Sequence, residues 1–148
     1  MIRKIVPDVI GGQTLQSVAP GDTVRFAARL MREKRIAALL VMDGDSLVGI
    51  VTERDMTARV VAVGVDPETT RVRDIMTADP DTLAPDNTAA DAIRMMREHN
   101  YRHLPVVDGA TVVGMVSVRD LYAVYNTELE QDLKDRNAFI YGENYGMA

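Results

Sequence analysis

Two short stretches of this chain carry the same chemistry-bearing side chains, a hydroxyl residue followed by an arginine and an aspartate. They are Thr52, Arg54 and Asp55 in the first stretch and Ser117, Arg119 and Asp120 in the second, 65 positions later. A glycine and apolar residues precede each hydroxyl, so each stretch predicts a buried strand running into a helix. A helix N-terminus presents unpaired N–H groups that favour an anion such as phosphate. The arginine could add a cation to that site, and the aspartate could bind a sugar diol.

The same spacing also has a purely structural interpretation. A hydroxyl residue with an acidic residue three positions later is a capping box, which starts a helix without binding any ligand. The motif alone leaves both interpretations open. The repetition of the motif favours a shared role for the two stretches.

Composition limits the class of protein. The chain has 148 residues, with 47% hydrophobic and 26% charged, as expected for about one globular domain. No apolar run approaches the length of a membrane span, the N-terminus lacks a signal-peptide core, and there is no Cys. These features predict a cytoplasmic protein without membrane contact. The net charge of −5 argues against nucleic-acid binding.

Apolar periodicity and turn residues predict the order of elements. A short helix at 5–10 ends at Gly11-Gly12, 13–20 is extended, and Asp22 or Thr23 caps a helix that reaches Arg35. Strands at 36–42 and 47–51 flank an Asp-Gly turn, a helix runs from Thr52 to about Val63, and 72–76 forms one helical turn. A long helix covers 121–140, and 141–148 is predicted to be irregular.

The chain contains an internal duplication. Residues 85–121 match residues 20–56 without a gap, with sixteen identities in 37 aligned positions. Each copy has the order β-α-β-β-α, and one copy alone cannot bury both faces of its sheet. The sequence therefore predicts an α+β fold of two pseudo-symmetric repeats packed together, with units at 1–64, 65–124 and 125–148. The last unit is a helical extension whose apolar stripe, Leu121 to Ile140, predicts a partner surface and a homodimer.

These features resemble a tandem pair of CBS motifs, known as a Bateman module, and most closely the stand-alone bacterial two-CBS proteins. The resemblance covers residues 5–124. It is carried by the Gly-x-x-[Ser/Thr]-x-x-Asp motif in both copies, by Arg102-His103-Leu104-Pro105-Val106, and by 72–77 between the copies. It implies a regulatory module that binds adenine nucleotides in clefts between the copies and often dimerises into a flat disc.

The resemblance also implies two nucleotide sites. In the first, Ser117, Arg119, Arg102 and His103 would face phosphate, Asp120 would hold the ribose, and 11–16 (including Gln16) with Ile36 and Ala37 would enclose adenine. In the second, Thr52, Arg54 and Asp55 would take the matching roles, with 76–81 (including Thr77) and Tyr101 around the base. Ala37 and Ala38 replace Arg102 and His103 in the first copy. The site at Asp120 is therefore expected to be the tighter one.

The predicted function is a non-catalytic sensor of energy or redox state that binds AMP, with ATP, ADP or NAD(H) as alternatives, and signals to an effector protein. Neither Asp55 nor Asp120 has a candidate nucleophile or activated base beside it, so no catalytic residue or catalytic cofactor is expected. His99 and His103 are four residues apart, but a helix-to-strand change between them argues against a metal site. Two alternatives stay open, a structural dimerisation module with vestigial sites and a nucleotide hydrolase.

Overall fold

Each copy of the repeat folds into a small sheet flanked by helices. The computed structural model describes residues 2–145. The first copy contains β1 (Ser17–Val18), α1 (Val24–Lys34), β2 (Ala38–Asp43), β3 (Ser46–Thr52) and α2 (Glu53–Asp55), which continues as a π-helical turn, Met56–Val61. The connector contains α3 (Val72–Ile75) and β4 (Thr77–Ala78). The second copy contains α4 (Ala89–His99), β5 (His103–Asp108), β6 (Thr111–Ser117) and α5 (Val118–Tyr145).

The two sheets have the same hairpin at their centre. The first sheet has the order β1-β2-β3-β4, in which β1 is parallel to β2 and the other neighbours are antiparallel. The second sheet consists of β5 and β6, and a single parallel bridge from Leu83 to Val106 stands in the place of β1. The short strand expected before each copy is thus reduced to one bridge in the second copy.

The core is divided into two clusters, one for each sheet. In the first cluster, fully buried residues of β2 and β3 pack under Ala27 and Met31 of α1. In the second, the matching residues of β5 and β6 pack under Ala92 and Met96 of α4. This arrangement follows from the duplicated apolar pattern, because the same positions face inward in both copies.

The N-terminal turn, Ile5–Val9, is the structural counterpart of α3. Ile5 completes the second cluster and Val72 completes the first, and both side chains are fully buried. The backbone contacts are equivalent too, since Ala89 donates its N–H to the Arg3 carbonyl and Val24 donates to that of Thr70. The N-terminal segment therefore belongs to the second copy's core, which its sequence does not reveal.

The helix boundaries follow their capping residues. Thr23 caps α1, as expected, by accepting a bond from the Phe26 N–H at 3.1 Å. The prediction of an irregular tail from Tyr141 is wrong as far as Tyr145, because α5 continues to that residue. A single glycine, Gly142, costs a helix only about 1 kcal/mol, which does not end it. Residues 146–148 lie outside the described residues. No helix within 2–145 is long and apolar enough to span a bilayer.

Candidate functional site

The junction between β3 and α2 holds the first motif in a fixed geometry. The Asp55 Oδ2 atom accepts the Thr52 N–H at 2.9 Å and the Thr52 hydroxyl at 3.2 Å, and the Asp55 N–H donates back to that hydroxyl at 3.3 Å. Among residues 2–140, whose side-chain burial is described, Asp55 is the one charged side chain that is buried. The capping box is therefore present, and it uses Oδ2 and leaves Oδ1 facing Arg59.

The junction between β6 and α5 repeats this geometry. The Asp120 Oδ2 atom accepts the Ser117 N–H at 2.8 Å and the Ser117 hydroxyl at 2.9 Å. The Asp120 N–H donates to the Ser117 hydroxyl at 3.1 Å. Both aspartates thus cap the start of a helix, and this structural role uses one of the two oxygens of each carboxylate.

A cavity joins the first motif to residues of the second copy. Its walls contain eight of the residues that the sequence singled out: Ala37, Thr52, Arg54, Asp55, Thr77, Tyr101, Arg102 and His103. Three guanidinium groups and three carboxylates line it, because Arg59, Glu53 and Asp81 also contribute. The cavity is thus a cleft between the two copies that combines apolar walls with charged groups of both signs and has an aromatic residue at one side.

Contacts across the cleft connect the two copies. Arg54 donates from Nη1 to the Asn100 carbonyl at 3.1 Å. The Tyr101 hydroxyl donates to Asp81 Oδ2 at 3.0 Å, and this bond to a carboxylate raises the pKa of Tyr101. The Tyr101 ring stacks on His99 with 5.3 Å between ring centroids. The Tyr101 ring is therefore held in place at the cavity wall.

The half-buried His103 side chain has a ring nitrogen that forms no hydrogen bond within the described residues. Its Nδ1 atom is buried and has no hydrogen-bond partner within residues 2–145. Burial lowers the pKa of His103, although the charges of Asp120 and Glu53 act in the opposite direction. A buried nitrogen without a partner normally costs about 1–3 kcal/mol, so a ligand that meets it would be stabilised.

The sequence had assigned Arg102 and His103 to the second motif. Both residues also line the cavity beside the first motif. The Arg102 carbonyl accepts the Val118 N–H at 2.9 Å, which ties its backbone to the start of α5. Arg102 lines both the cavity of Asp55 and the groove between α4 and α5, and it forms no ion pair within the described residues. His103 pairs with Ser117 in the ladder and so lies between the two motifs. The expectation that these two residues favour the Asp120 site stays a prediction, to which the cavity beside Asp55 offers an alternative.

The remaining predicted residues lie outside this cavity. The junction between β6 and α5 contains Ser117, Arg119 and Asp120. Ile36 packs beside the first core cluster, and the Gln16 carbonyl accepts the Leu40 N–H. The sequence missed Arg59, whose Nε lies 3.8 Å from Asp55 Oδ1 and whose Nη1 donates to the Ile75 carbonyl at 2.8 Å. Its position four residues after Asp55 on one helix was the available signal.

The fold and the two motifs define the class of protein. A family model of the CBS domain matches residues 1–62 and 72–126. Since this match covers most of the chain, the chain belongs to the CBS domain family. The resemblance drawn from the two motifs, and the α+β fold of paired repeats that it implied, are thereby confirmed.

Solved structures of the same family share the fold. A CBS-domain protein from Burkholderia ambifaria MC40-6 has a TM-score of 0.73 and 44% identity, over 75% of this chain and 82% of that chain. CBSX2, solved in complex with AMP, has a TM-score of 0.69 and 28% identity, over 78% and 91% of the two chains. A hexameric CBS-CP12 protein from bloom-forming cyanobacteria has a TM-score of 0.71 and 28% identity, over 90% and 86%.

Curated relatives are longer than the matched part. The chain is 32% identical to the CBS domain-containing protein CBSX3, mitochondrial, of Arabidopsis thaliana over 126 residues, which is 82% of this chain and 61% of that protein. It spans 16% and 19% of two further Arabidopsis CBS domain-containing proteins, CBSCBSPB3 and CBSCBSPB2. The chain thus spans less than two thirds of the length of these relatives.

Proposed function

We propose that this chain is a non-catalytic regulatory module that binds an adenine nucleotide, with AMP as the first choice, in the cavity beside Asp55. The observation that carries this proposal is the composition of that cavity. A helix start from one copy lies beside Arg102 and His103 of the other copy, and within the described residues Arg102 has no ion pair and the buried Nδ1 atom of His103 has no hydrogen-bond partner. This arrangement suits a ligand that has both a phosphate and a diol.

Each part of the nucleotide has a matching group in the cavity. The Oδ1 atom of Asp55 is not used in capping and accepts a ribose hydroxyl. Arg102 and His103, together with the N-terminus of α2, bind the phosphate. Tyr101 and Thr77 line the side on which an adenine ring would pack. AMP is preferred to ADP, ATP or NAD(H) because CBSX2, a structural neighbour, was solved with AMP.

A melting-temperature screen over AMP, ADP, ATP, NAD and NADH tests the proposal. A ligand at about 100 times its Kd should add roughly 2.7 kcal/mol to the free energy of unfolding, and AMP should give the largest shift. No shift with any nucleotide would contradict the proposal. Chromatography of each nucleotide after long incubation with the protein and Mg²⁺ should return it unchanged, whereas a product would favour the hydrolase alternative.

A second candidate, a dimerisation module with vestigial sites, is favoured by the capping bonds, since they give both motifs a role without any ligand. It predicts the same stability with and without nucleotide. The melting-temperature screen therefore separates the two functions.

The surface around α5 supports a partner in either case. An apolar groove of about 480 Å³ lies between α4 and α5, with Ile93, Leu121 and Tyr122 among its lining residues. Beyond it, Leu129 and Leu133 of α5 are exposed by 60% and 59%. We assign this surface to a second copy of the chain, and the mass from light scattering should be that of a dimer. Leu129→Glu should shift it towards the monomer. The effector protein and the cytoplasmic location stay predictions.

A further inference from the structure

Arg59 lies on the helix that follows the first motif, and the second copy has no cation at the equivalent position. The duplication places Val124 of α5 there, 65 residues later. The two helices also differ in shape, since Arg59 lies in the π-helical turn Met56–Val61, whereas α5 is α-helical from Val118 to Tyr145. Single π-helical turns are rare and are often found at functional sites. The first copy therefore has a cation in a widened turn where the second copy has an apolar residue on a regular helix.

The guanidinium group of Arg59 is fixed to the connector on one side. Its Nη1 atom donates to the Ile75 carbonyl at 2.8 Å and to the Met76 carbonyl at 3.2 Å. These carbonyls directly precede Thr77, which lines the cavity beside Asp55, and Arg59 lines the same cavity. The Arg59 side chain therefore ties the helix after the first motif to the wall that the connector forms.

On its other side, the Arg59 guanidinium faces the carboxylate of Asp55. The Arg59 Nε atom lies 3.8 Å from Oδ1, which is too long for a hydrogen bond and short enough for electrostatic attraction. The capping bonds to Thr52 use the other oxygen, Oδ2. Because the Arg59 side chain is 50% exposed, the ion pair contributes little stability by itself. What the ion pair fixes is the direction of Oδ1, which keeps its capacity to accept a hydrogen bond.

We propose that Arg59 is a positioning residue of the adenine-nucleotide site beside Asp55. It directs Oδ1 of Asp55 towards the ribose hydroxyls and holds the connector wall on which the base packs. The inference rests on the proposed function and adds to it the residue that sets the geometry of ribose recognition. Groups that are fixed before binding cost less to order than free ones. The affinity for AMP and the discrimination of its ribose therefore both depend on Arg59, which acts through Asp55 and the connector.

The test measures ribose discrimination as well as affinity. AMP and 2′-deoxy-AMP are titrated by calorimetry into the Asp120→Ala chain, which retains the Asp55 half, with and without Arg59→Val. This substitution introduces the residue type that the second copy has at the equivalent position. Arg59→Val should weaken AMP about fivefold to tenfold. The preference for AMP over 2′-deoxy-AMP should fall from about fivefold to less than about twofold.

Two further variants control for charge and for helix stability. Arg94→Val is the matched control, because Arg94 forms the same kind of contact outside the cavity, with Nη2 at 3.4 Å from Oδ1 of the capping residue Asp91. It should leave the affinities for both ligands unchanged. Arg59→Lys keeps a cation beside Asp55 and should retain more of the preference for AMP than Arg59→Val does. Urea unfolding of each variant verifies that it is folded.

The outcomes separate this inference from the proposed function. Equal weakening of AMP and 2′-deoxy-AMP by Arg59→Val would mean that Arg59 only supports the fold, and would overturn the inference while AMP binding itself stood. Unchanged affinities would overturn it in the same way. Tighter AMP binding would mean that Arg59 competes with the ribose for Asp55, and would also overturn it. Failure of the unsubstituted chain to bind AMP would overturn the proposed function and the inference together.

Discussion

The Asp55 half and the Asp120 half of this molecule have the same helix start and different surroundings. Each aspartate accepts two bonds from its hydroxyl residue through one oxygen. Beside Asp55, the opposite copy contributes Arg102, and the connecting segment that lines the cavity forms the strand β4. In the Asp120 half, Ala37 is the counterpart of Arg102. The segment before β1 contacts β6 there through the side chain of Gln13, which accepts the Met115 N–H.

This difference shows that a site between duplicated units takes its groups from both units. The arginine that follows α4 belongs to the second copy in sequence but lines the cavity of the first motif. Divergence in one copy therefore alters the site of the other. The Asp55 half is accordingly expected to bind AMP more tightly, which reverses the order inferred from the sequence.

Replacing Arg102 should have the largest effect on the difference in AMP affinity between the two halves. Arg102→Ala should weaken AMP at the Asp55 half about tenfold to a hundredfold, because a charge-assisted bond contributes about 1.5–3 kcal/mol. Calorimetry measures the loss. Arg97→Ala is the matched control and should leave the affinity unchanged, because Arg97 lines the groove between α4 and α5, as Arg102 does, but does not line the cavity beside Asp55. An equal loss in both variants would indicate a general charge effect and would count against a bound phosphate at Arg102.

The two equivalent glycines should differ in how well they tolerate a methyl group. Gly49→Ala should cost about 2 kcal/mol of unfolding free energy, because an added Cβ would lie 2.5 Å from Met76 Sδ and also 3.0 Å from the backbone carbonyl oxygen of Thr77, which can move less than a side chain. Gly114→Ala should cost about 1 kcal/mol, since its obstacles are the side chains of Ile10 and Gln13. Urea unfolding of both variants gives the difference. A larger cost at Gly114 would contradict the view that the backbone of β4 beside Gly49 is more rigid than the side chains beside Gly114.

Ribose recognition should be visible with a single altered ligand. Replacing AMP by 2′-deoxy-AMP should cost about 1 kcal/mol, or about fivefold in affinity, because Asp55 Oδ1 loses a donor. The comparison is made by calorimetry on the Asp120→Ala chain, which retains the Asp55 half. Equal affinities for the two ligands would remove Asp55 from the ribose site.

The smallest expected effect is the pH dependence of stability that His103 causes. Only the second copy has this effect, because the first copy has Ala38 at the equivalent position. The pKa of folded His103 is lowered by burial, so the unfolded chain binds the additional proton first as the pH falls below about 6.5. Stability should therefore decrease as the pH falls through the window between the unfolded and folded pKa values. His103→Gln should reduce that decrease in urea titrations across this range. An unchanged slope would mean that His103 does not titrate differently on folding.

Much of this arrangement could be predicted from local sequence signals. The capping residues, the two hairpins and the helix that stops near Gly64 follow from turn chemistry and periodicity. The position of Arg102 at the cavity beside Asp55 could not be predicted in this way, because it depends on how the residues before β5 meet the other copy. The equivalence of Ile5 with Val72 and the contact of Gln13 with β6 were also hidden. Both depend on packing between segments that share little sequence.

The measurement that tests the central claim most directly is AMP titration of Asp55→Ala and Asp120→Ala side by side. Each variant loses the same capping bonds, worth about 0.5–2 kcal/mol, and Asp55→Ala also loses its contact with Arg59, so the stability of both variants is measured alongside AMP binding. The account predicts that Asp55→Ala loses the tight phase of AMP binding and that Asp120→Ala keeps it. Loss of the tight phase in Asp120→Ala alone would contradict the account and would assign the tighter site to the second motif.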